Sequence, residues 1–308
     1  MALKLGKQTV KKAIHFGVVS VLAAIAAFRP FTIEMTCCKK IVFEFRDARP
    51  QTFDTFGGWC RNRKRLDPEV RHTVAMLLTA AGTSDCYRAE QRLTRWTDLD
   101  LSNQEIVNVD PISTLTNLTR LYLDFNSIEN AEPLAKLENL TYLSAYDNQI
   151  SDVEFLASIE ELTRLNLSKN QIVRIDSLAR LTRLTELYLG SNEISNIEPL
   201  SHLVDLRLLV LNDNNIANLE PLIHLLRLTR LDIFNNHIAN VEPLAHLDGL
   251  KYLSLSGNHI VSLEPLSSLK NLRDLWIKDN PITDKNLDFN SSSLDDRICP
   301  IEGAFCHY

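Results

Sequence analysis

The chain contains 308 residues, of which 45% are hydrophobic, and it has a formal net charge of −6 and a sequence pI near 5.8. Nucleic-acid-binding domains commonly carry a basic stripe that releases counterions from phosphates, so this acidic balance argues against DNA or RNA as a partner. The length is sufficient to bury a substantial hydrophobic core.

The N-terminal segment has the features of an export signal. Four lysines lie among the first twelve residues and precede an apolar run of sixteen, AIHFGVVSVLAAIAAF, at residues 13–28. A membrane-spanning helix needs roughly 20 apolar residues, and Ala24-Ile25-Ala26 offers a small-x-small cleavage site. We therefore predict a signal peptide at residues 1–26 and a secreted, periplasmic or cell-surface location. The alternatives are a short uncleaved anchor, through which the protein would contact the membrane, and an apolar helix of a cytosolic protein.

The next segment, residues 27–58, is predicted to be a linker or irregular region. Its stretch CCKKIVFEF favours one short strand, and Gly57-Gly58 predicts a break before the next element. Glu44, Arg46 and Asp47 lie in this segment, but their spacing matches no catalytic pattern.

A helical N-terminal cap is predicted at residues 59–96. One helix is delimited by Asp67 as N-cap, Pro68 at the first helical position and Gly82 after the last apolar turn. A second, shorter helix is expected from residue 85 to about residue 93.

Residues 97–285 repeat with a period of 22 residues and no insertion, in eight full copies and one partial copy. Each copy contains a run x-Leu-x-Leu-x or a close variant, whose alternation is typical of a half-buried strand. Five positions after the first leucine comes an asparagine, replaced by Gln104 in the first copy, and two positions later an isoleucine. Self-similarity at this period indicates a stacked array of nine parallel strands in which each repeat contacts only its neighbours. The aligned leucines are Leu99, Leu121, Leu143, Leu165, Leu187, Leu209, Leu231, Leu253 and Leu275.

The repeated pattern LxxLxLxxNxIxxxxPLxxLxx resembles the 22-residue class of leucine-rich repeats, and most of all bacterial internalin-like proteins, which also place a helical cap before the array. The resemblance covers about residues 60–290. It implies an α/β solenoid, a right-handed leucine-rich repeat horseshoe with a parallel concave sheet and a helical N-terminal cap. The C-terminal CPIEGAFCHY differs from the immunoglobulin-like region that follows the array in internalins, and we predict a short C-terminal cap at residues 286–308 because a solenoid needs its end covered. It implies a binding architecture and does not identify the ligand.

Six cysteines flank the array and none lies within it. A solenoid exposes apolar core at both ends, and disulfides suit small caps in an oxidising compartment. We therefore predict the pairs Cys60–Cys86 and Cys299–Cys306, and leave the two adjacent cysteines before them unassigned. A zinc site is the alternative, but the sequence contains no pair of CxxC units.

The outward-facing strand residues form the predicted binding surface on the concave side. They include many of the few aromatic residues of the chain together with scattered arginines, the residue types that dominate interface hot spots. The alternative is that aromatic residues are there because they suit strands. The candidate binding residues are Arg120, Tyr122, Asp124, Phe125, Tyr142, Tyr146, Arg164, Glu186, Tyr188, Arg230, Asp232, Phe234, Tyr252, Trp276 and Lys278.

Two further ladders recur at the repeat period. An acid precedes the proline position in all eight full repeats, where it favours the start of a short helical or 3₁₀ turn on the convex side, with Ca²⁺ binding as the alternative. Histidines recur as well, and repeat copying competes with a transition-metal site or a pH-sensitive strip as their explanation. We predict no metal and no cofactor. The histidines are His202, His224 and His246, and His237 and His259.

No catalytic motif is present: the chain lacks GxSxG, HExxH and a glycine-rich phosphate loop. The sequence predicts a monomeric, exported binding protein, not an enzyme, that recognises a protein or alternatively a glycan on its concave face. The competing hypothesis is an intracellular regulatory subunit of a Ser/Thr phosphatase or another signalling enzyme, because the same repeat class resembles such regulators.

Overall fold

A computed structural model describes residues 52–283 and the backbone of residues 305–307. The chain divides into two units, residues 1–51 and residues 52–308, and everything described lies in the second. The predicted signal peptide and the predicted strand in CCKKIVFEF lie outside the described residues. So do Cys37, Cys38 and Cys299, and with Cys299 the predicted C-terminal disulfide.

Within the described residues, three helices precede the repeats. They are α1 (Phe56–Asn62), α2 (Pro68–Ala80) and α3 (Cys86–Leu93). The side chain of Asp85 caps α3 by accepting a hydrogen bond from the backbone N–H of Arg88 at 2.8 Å. Asp67 occupies the N-cap position of α2 as predicted, but its side chain makes no capping hydrogen bond.

The predicted break at Gly57-Gly58 is wrong, because both glycines lie in the first turn of α1. Thr55 caps this helix by accepting from the backbone N–H of Gly58 at 3.1 Å. A Cβ atom on Gly58 would lie 2.9 Å from the Cβ of Phe53, closer than side-chain carbons approach each other. Glycine therefore serves close packing here, and the first helix begins three residues before the predicted start of the cap.

The repeats form one sheet of parallel strands in chain order. The register pairs the leucines of adjacent repeats, as in Leu99 opposite Leu121, so every strand turns the same face toward the core. The strands are β1 (Asp98–Asp100), β2 (Arg120–Tyr122), β3 (Tyr142–Ser144), β4 (Arg164–Asn166), β5 (Glu186–Tyr188), β6 (Leu208–Val210), β7 (Arg230–Asp232), β8 (Tyr252–Ser254), β9 (Asp274–Trp276) and β10 (Phe305–His307).

In the described part of the chain, the sheet contains ten strands where the sequence predicts nine. The additional strand, β10, lies outside the repeats and pairs in parallel with β9, placing Cys306 opposite Leu275. An unpaired edge of β9 would expose a row of backbone donors and acceptors, which β10 satisfies. Three residues are too few for a sequence alternation to reveal such a strand.

Short 3₁₀ turns form the opposite side of each repeat, as predicted, and an apolar core fills the space between them and the sheet. The repeat leucines and the isoleucines from Ile106 to Ile260 are almost fully buried. The turns are Ile112–Thr114, Glu132–Lys136, Glu154–Ser158, Asp176–Arg180, Glu198–His202, Glu220–Leu222, Glu242–His246 and Glu264–Ser268.

The repeated asparagine joins neighbouring repeats. In Asn214, Oδ1 accepts from the backbone N–H of Ile194 at 2.9 Å. Its Nδ2 donates to the carbonyl oxygens of Leu189 at 3.0 Å and Leu211 at 3.1 Å. The side chain is buried and thereby satisfies backbone groups in two repeats.

Candidate functional site

The candidate site is the side of the sheet that faces away from the core. The central residue of each strand from β1 to β9 is buried, whereas the residues before and after it are wholly or partly exposed in most of these strands. Successive repeats therefore place their first and third strand residues in two rows that run across the sheet. This arrangement brings predicted binding residues from different repeats into contact.

One group of aromatic residues, the N-terminal aromatic cluster, consists of Tyr122, Phe125, Tyr142 and Tyr146. The rings of Tyr122 and Tyr142 lie 4.8 Å apart between their centroids. Phe125 meets Tyr146 edge to face at 5.2 Å. The Nζ of Lys169 lies 5.0 Å from the Tyr146 ring centroid, a cation–π contact that the sequence does not predict.

A second group, the C-terminal aromatic cluster, consists of Arg230, Tyr252 and Trp276. The Tyr252 and Trp276 rings lie 4.4 Å apart between centroids. The guanidinium carbon of Arg230 lies 4.1 Å from the Tyr252 centroid. Phe234 and Lys278 lie on the same side, but within the described residues neither makes a ring contact with this cluster.

Charged residues occupy the sheet between the two clusters. Arg164 pairs with Glu186 at 3.1 Å, and the hydroxyl of Tyr188 donates to the same carboxylate at 3.3 Å. Burial raises the pKa of Tyr188 above its ordinary value, and it does the same for Tyr142 and Tyr252. These phenols remain neutral hydrogen-bond donors at physiological pH.

Two aspartates of the predicted set lie beside polar groups of the sheet but differ in their hydrogen bonding. Asp124 accepts from the backbone N–H of Tyr146 at 2.8 Å. Asp232 lies near Ser254 and the backbone of Phe234, which act to lower its pKa, yet its Oδ1 is buried and lacks a hydrogen-bond partner among the described residues. Burial raises the pKa of Asp232, although the charge of Arg230 acts in the opposite direction.

Sequence reasoning missed a row of residues with left-handed backbone conformation, which follow the carboxyl ends of the strands. The residue before each repeated asparagine has a positive φ, and most repeats place Asn, Asp, Ser or Gly there. Phe125, in this row, has a φ of 54°, and a positive φ is unusual for an aromatic residue. Its side chain is 54% exposed. The recurrence of small polar residues at this position was the available signal. The row is Asn103, Phe125, Asp147, Lys169, Ser191, Asp213, Asn235, Gly257 and Asp279.

The acid ladder lies at the start of the convex turns. In Glu220 the backbone N–H donates to the side chain of Asn218, two residues earlier, at 3.0 Å.

The rings of His237 and His259 are nearly parallel, with centroids 5.7 Å apart. Within the described part of the chain, no group of three or more His, Cys, Asp or Glu residues is placed to hold a metal ion.

The cap contains the predicted disulfide between Cys60 and Cys86, whose Cα atoms lie 5.6 Å apart. The Nη1 of Arg63 lies 3.2 Å from the Cys86 sulfur and donates to the Cys60 carbonyl at 3.0 Å. The disulfide therefore joins α1 to α3 next to a cation. Of the helices described, none combines the length and the apolar composition needed to cross a bilayer.

Comparison with family models identifies the repeat type. The model described as Leucine Rich repeats (2 copies) matches residues 116–158, 160–202 and 248–291. A comparison with curated proteins finds no significant match.

Solved structures with the same architecture include several internalins from Listeria monocytogenes. Internalin C2 is 32% identical over 70% of this chain and 93% of its own, with a TM-score of 0.62. Internalin InlF is 28% identical over 73% of this chain and 66% of its own, with a TM-score of 0.68. The functional domain of InlJ is 23% identical over 75% of this chain and 53% of its own, with a TM-score of 0.57, and shares the fold. This chain thus spans just under two thirds of InlF and about half of the InlJ domain.

Proposed function

Since this chain belongs to the internalin-like leucine-rich repeat proteins, we propose that it is a binding protein that holds a protein ligand on its concave face. The observation that carries the proposal is the presence of two aromatic clusters on the exposed side of one sheet. Tyrosine, tryptophan and arginine bury large rigid surfaces at low entropic cost when they meet a partner. We propose no catalytic role.

The distance between the clusters favours a macromolecule over a small ligand. Four strand intervals separate β3, the last strand of the N-terminal aromatic cluster, from β7, the first strand of the C-terminal aromatic cluster. Parallel strands lie roughly 4.8 Å apart, so the gap between the clusters is about 19 Å along the sheet. One small molecule cannot contact both ends. The Arg164–Glu186 pair between them supplies charged groups that would align a partner.

We also propose that the protein is exported and monomeric. The Cys60–Cys86 disulfide supports this proposal over an intracellular regulatory role, because disulfides persist mainly in oxidising compartments. Intact-mass measurement of the natural protein, with and without reductant and thiol alkylation, tests the export. Loss of about the first 26 residues with blocked cysteines supports export, and a full-length chain with six free thiols contradicts it.

The binding face is tested with the combined variant Tyr122→Ala, Tyr188→Ala and Trp276→Ala. Ligand capture, measured by quantitative mass spectrometry of proteins bound to the immobilised chain, should be abolished. A matched control replaces three exposed apolar residues outside the strands, Val173, Leu226 and Val261, by alanine and should leave capture unchanged. Retained capture by the first variant would move the binding site away from the concave face.

A further inference from the structure

The acidic net charge of the whole chain conceals a basic N-terminal cap. Residues 56–96 contain eight basic and four acidic residues, a net charge of +4. Residues 97–283 contain 14 basic and 26 acidic residues, a net charge of −12. The cap thus carries a charge opposite to that of the array it covers. Its basic residues are Arg61, Arg63, Lys64, Arg65, Arg71, Arg88, Arg92 and Arg95.

Helix α3 concentrates part of this charge around an open cleft. The cleft has a volume of about 440 Å³ and is lined by Arg88, Gln91, Arg92, Arg95 and Trp96. The three arginines recur at intervals of four and three residues, so they lie on one face of the chain as it leaves the helix. Of the residues that the structure describes, no acidic one lines the cleft.

Contacts within the cap explain why the cleft is not neutralised. Glu90, the acid within α3, points toward α1, since its Oε2 would lie 2.3 Å from a Cβ on Gly57. Arg92 is fixed by donating to the carbonyl of Ala81 at 2.6 Å. In the described part of the chain, Arg88 and Arg95 make no ion pair, and both are exposed.

Aromatic and amide groups accompany the arginines. Trp96 is half-buried against the core and contributes to the cleft wall. Tyr87 is 63% exposed, and its hydroxyl accepts from Nε2 of Gln91 at 2.7 Å. A flat aromatic face suits the apolar face of a sugar ring, an amide suits hydroxyl groups, and a guanidinium fork suits a carboxylate or sulfate group.

A second basic cleft extends the positive surface. It has a volume of about 380 Å³ and is lined by Arg63, Lys64 and Arg71 together with Ala75 and Leu78. Arg63 lies beside the first residue of α3, at the Cys86 sulfur. Two basic clefts in one small cap match a ligand that carries repeated anionic groups better than a single small anion.

We propose that the cap binds an acidic oligosaccharide, with carboxylate or sulfate groups on Arg88 and Arg95 and a sugar ring against Trp96. Seven of the eight basic residues are arginine, which recognises planar or branched oxyanions through paired hydrogen bonds better than lysine does. The cleft is concave, whereas a lipid surface would favour a flat or protruding apolar face. This binding is independent of the proposed function of the concave sheet.

The test is fluorescence anisotropy of a labelled heparin octasaccharide with the full chain, at low and at physiological salt. We expect Arg88→Gln with Arg95→Gln to weaken binding about tenfold, because two charge-assisted contacts are lost, and to reduce the salt dependence. The matched control, Arg180→Gln with Arg207→Gln, removes the same charge from exposed positions in the repeats and should bind like the unaltered chain. Neutral dextran should not compete.

Several results would overturn the proposal. Absence of heparin binding, or an equal loss in both double variants, would show that the cap holds no specific site. Binding to phosphatidylglycerol vesicles without binding to the oligosaccharide would assign the surface to a membrane. A third result would be that the protein does not bind the oligosaccharide but self-associates at low salt. If only Arg88→Gln with Arg95→Gln abolishes this self-association, the basic surface of the cap binds the acidic repeats of a second copy. Unchanged melting temperatures would establish that both variants fold.

Discussion

At the scale of single residues, the repeated asparagine and the polar residue before most of the convex turns have the same role, one in the core and the other at the surface. Both provide hydrogen bonds to backbone groups where the chain leaves regular structure. Asn214 is buried and bridges two repeats, whereas Asn218 is exposed and accepts from the backbone N–H of Glu220 in its own repeat. The free energy at stake differs because water can replace only the exposed bond.

This difference predicts unequal effects of two identical substitutions in one repeat. Asn214→Ala leaves buried donors and acceptors unpaired and should lower the free energy of unfolding by about 3 kcal/mol. Asn218→Ala should lower it by less than about 1 kcal/mol. Urea unfolding monitored by circular dichroism measures both, and equal losses would contradict the buried role of Asn214.

Asp232 predicts a specific dependence of stability on pH. Burial raises its pKa in the folded state above the unfolded value, so folding favours the protonated form. Its contribution therefore makes the free energy of unfolding fall as the pH rises from about 4 through the raised pKa.

Asp232→Asn should remove that fall. The free energy of unfolding of the variant minus that of the unaltered chain should be larger at pH 7 than at pH 3.5. Urea unfolding of both proteins at both pH values measures this difference. Asp124→Asn is a suitable comparison, since Asp124 accepts from Ser144 and from the backbone of Tyr146. If this difference is instead larger at pH 3.5 than at pH 7, the fold stabilises the charged carboxylate of Asp232.

At the scale of elements, the described helices of the cap share one hydrophobic core with the repeats, and the disulfide fixes α1 to α3. Phe56, Trp59 and Leu77 are buried in the same core as the repeats. Helices as short as α1 and α3 are not stable alone, so their order depends on this packing and on the covalent link.

Replacement of Cys60 and Cys86 by alanine should therefore act locally. A loop closed across 26 residues contributes roughly 3 kcal/mol on the loop-entropy model. Hydrogen exchange should increase in α1, α3 and β1, with little change in β6 to β8, since each repeat contacts only its neighbours. A uniform increase along the whole sheet would instead indicate that the cap and the array unfold together.

At the scale of the whole molecule, the repeats form a stack in which the same contacts recur between consecutive units. Because the period contains no insertion, residues 182–203 constitute one complete unit whose removal joins equivalent positions of its neighbours. The asparagine ladder and the leucine register would continue across the junction.

Deletion of residues 182–203 should yield a folded protein with one strand fewer. The denaturant m-value should fall by roughly one ninth, in proportion to the surface exposed on unfolding. Deletion of residues 182–192, half a unit, is the control and should prevent folding because it breaks the register. Loss of folding in both would mean that the particular sequence of this repeat is required.

The sequence alone determined the repeat architecture. Leu143 and Leu165, and likewise Asn148 and Asn170, occur at a fixed spacing, and alternation along a strand dictates which side chains face the core. These are local and periodic properties, so they can be read without knowing any contact. The helix at Pro68–Ala80 was equally clear because its start and stop residues are adjacent to an apolar face.

Tertiary structure alone decided the features that depend on contacts between residues distant in the chain. Gly57 and Gly58 lie within a helix because Phe53 packs closely against Gly58. The strand β10 forms because its backbone pairs with the edge strand β9. The grouping of outward residues into two aromatic clusters depends on side-chain orientations across strands, and the burial of Asp232 depends on the repeats beside it. Periodicity places residues on a face, but only packing between repeats decides which of them touch.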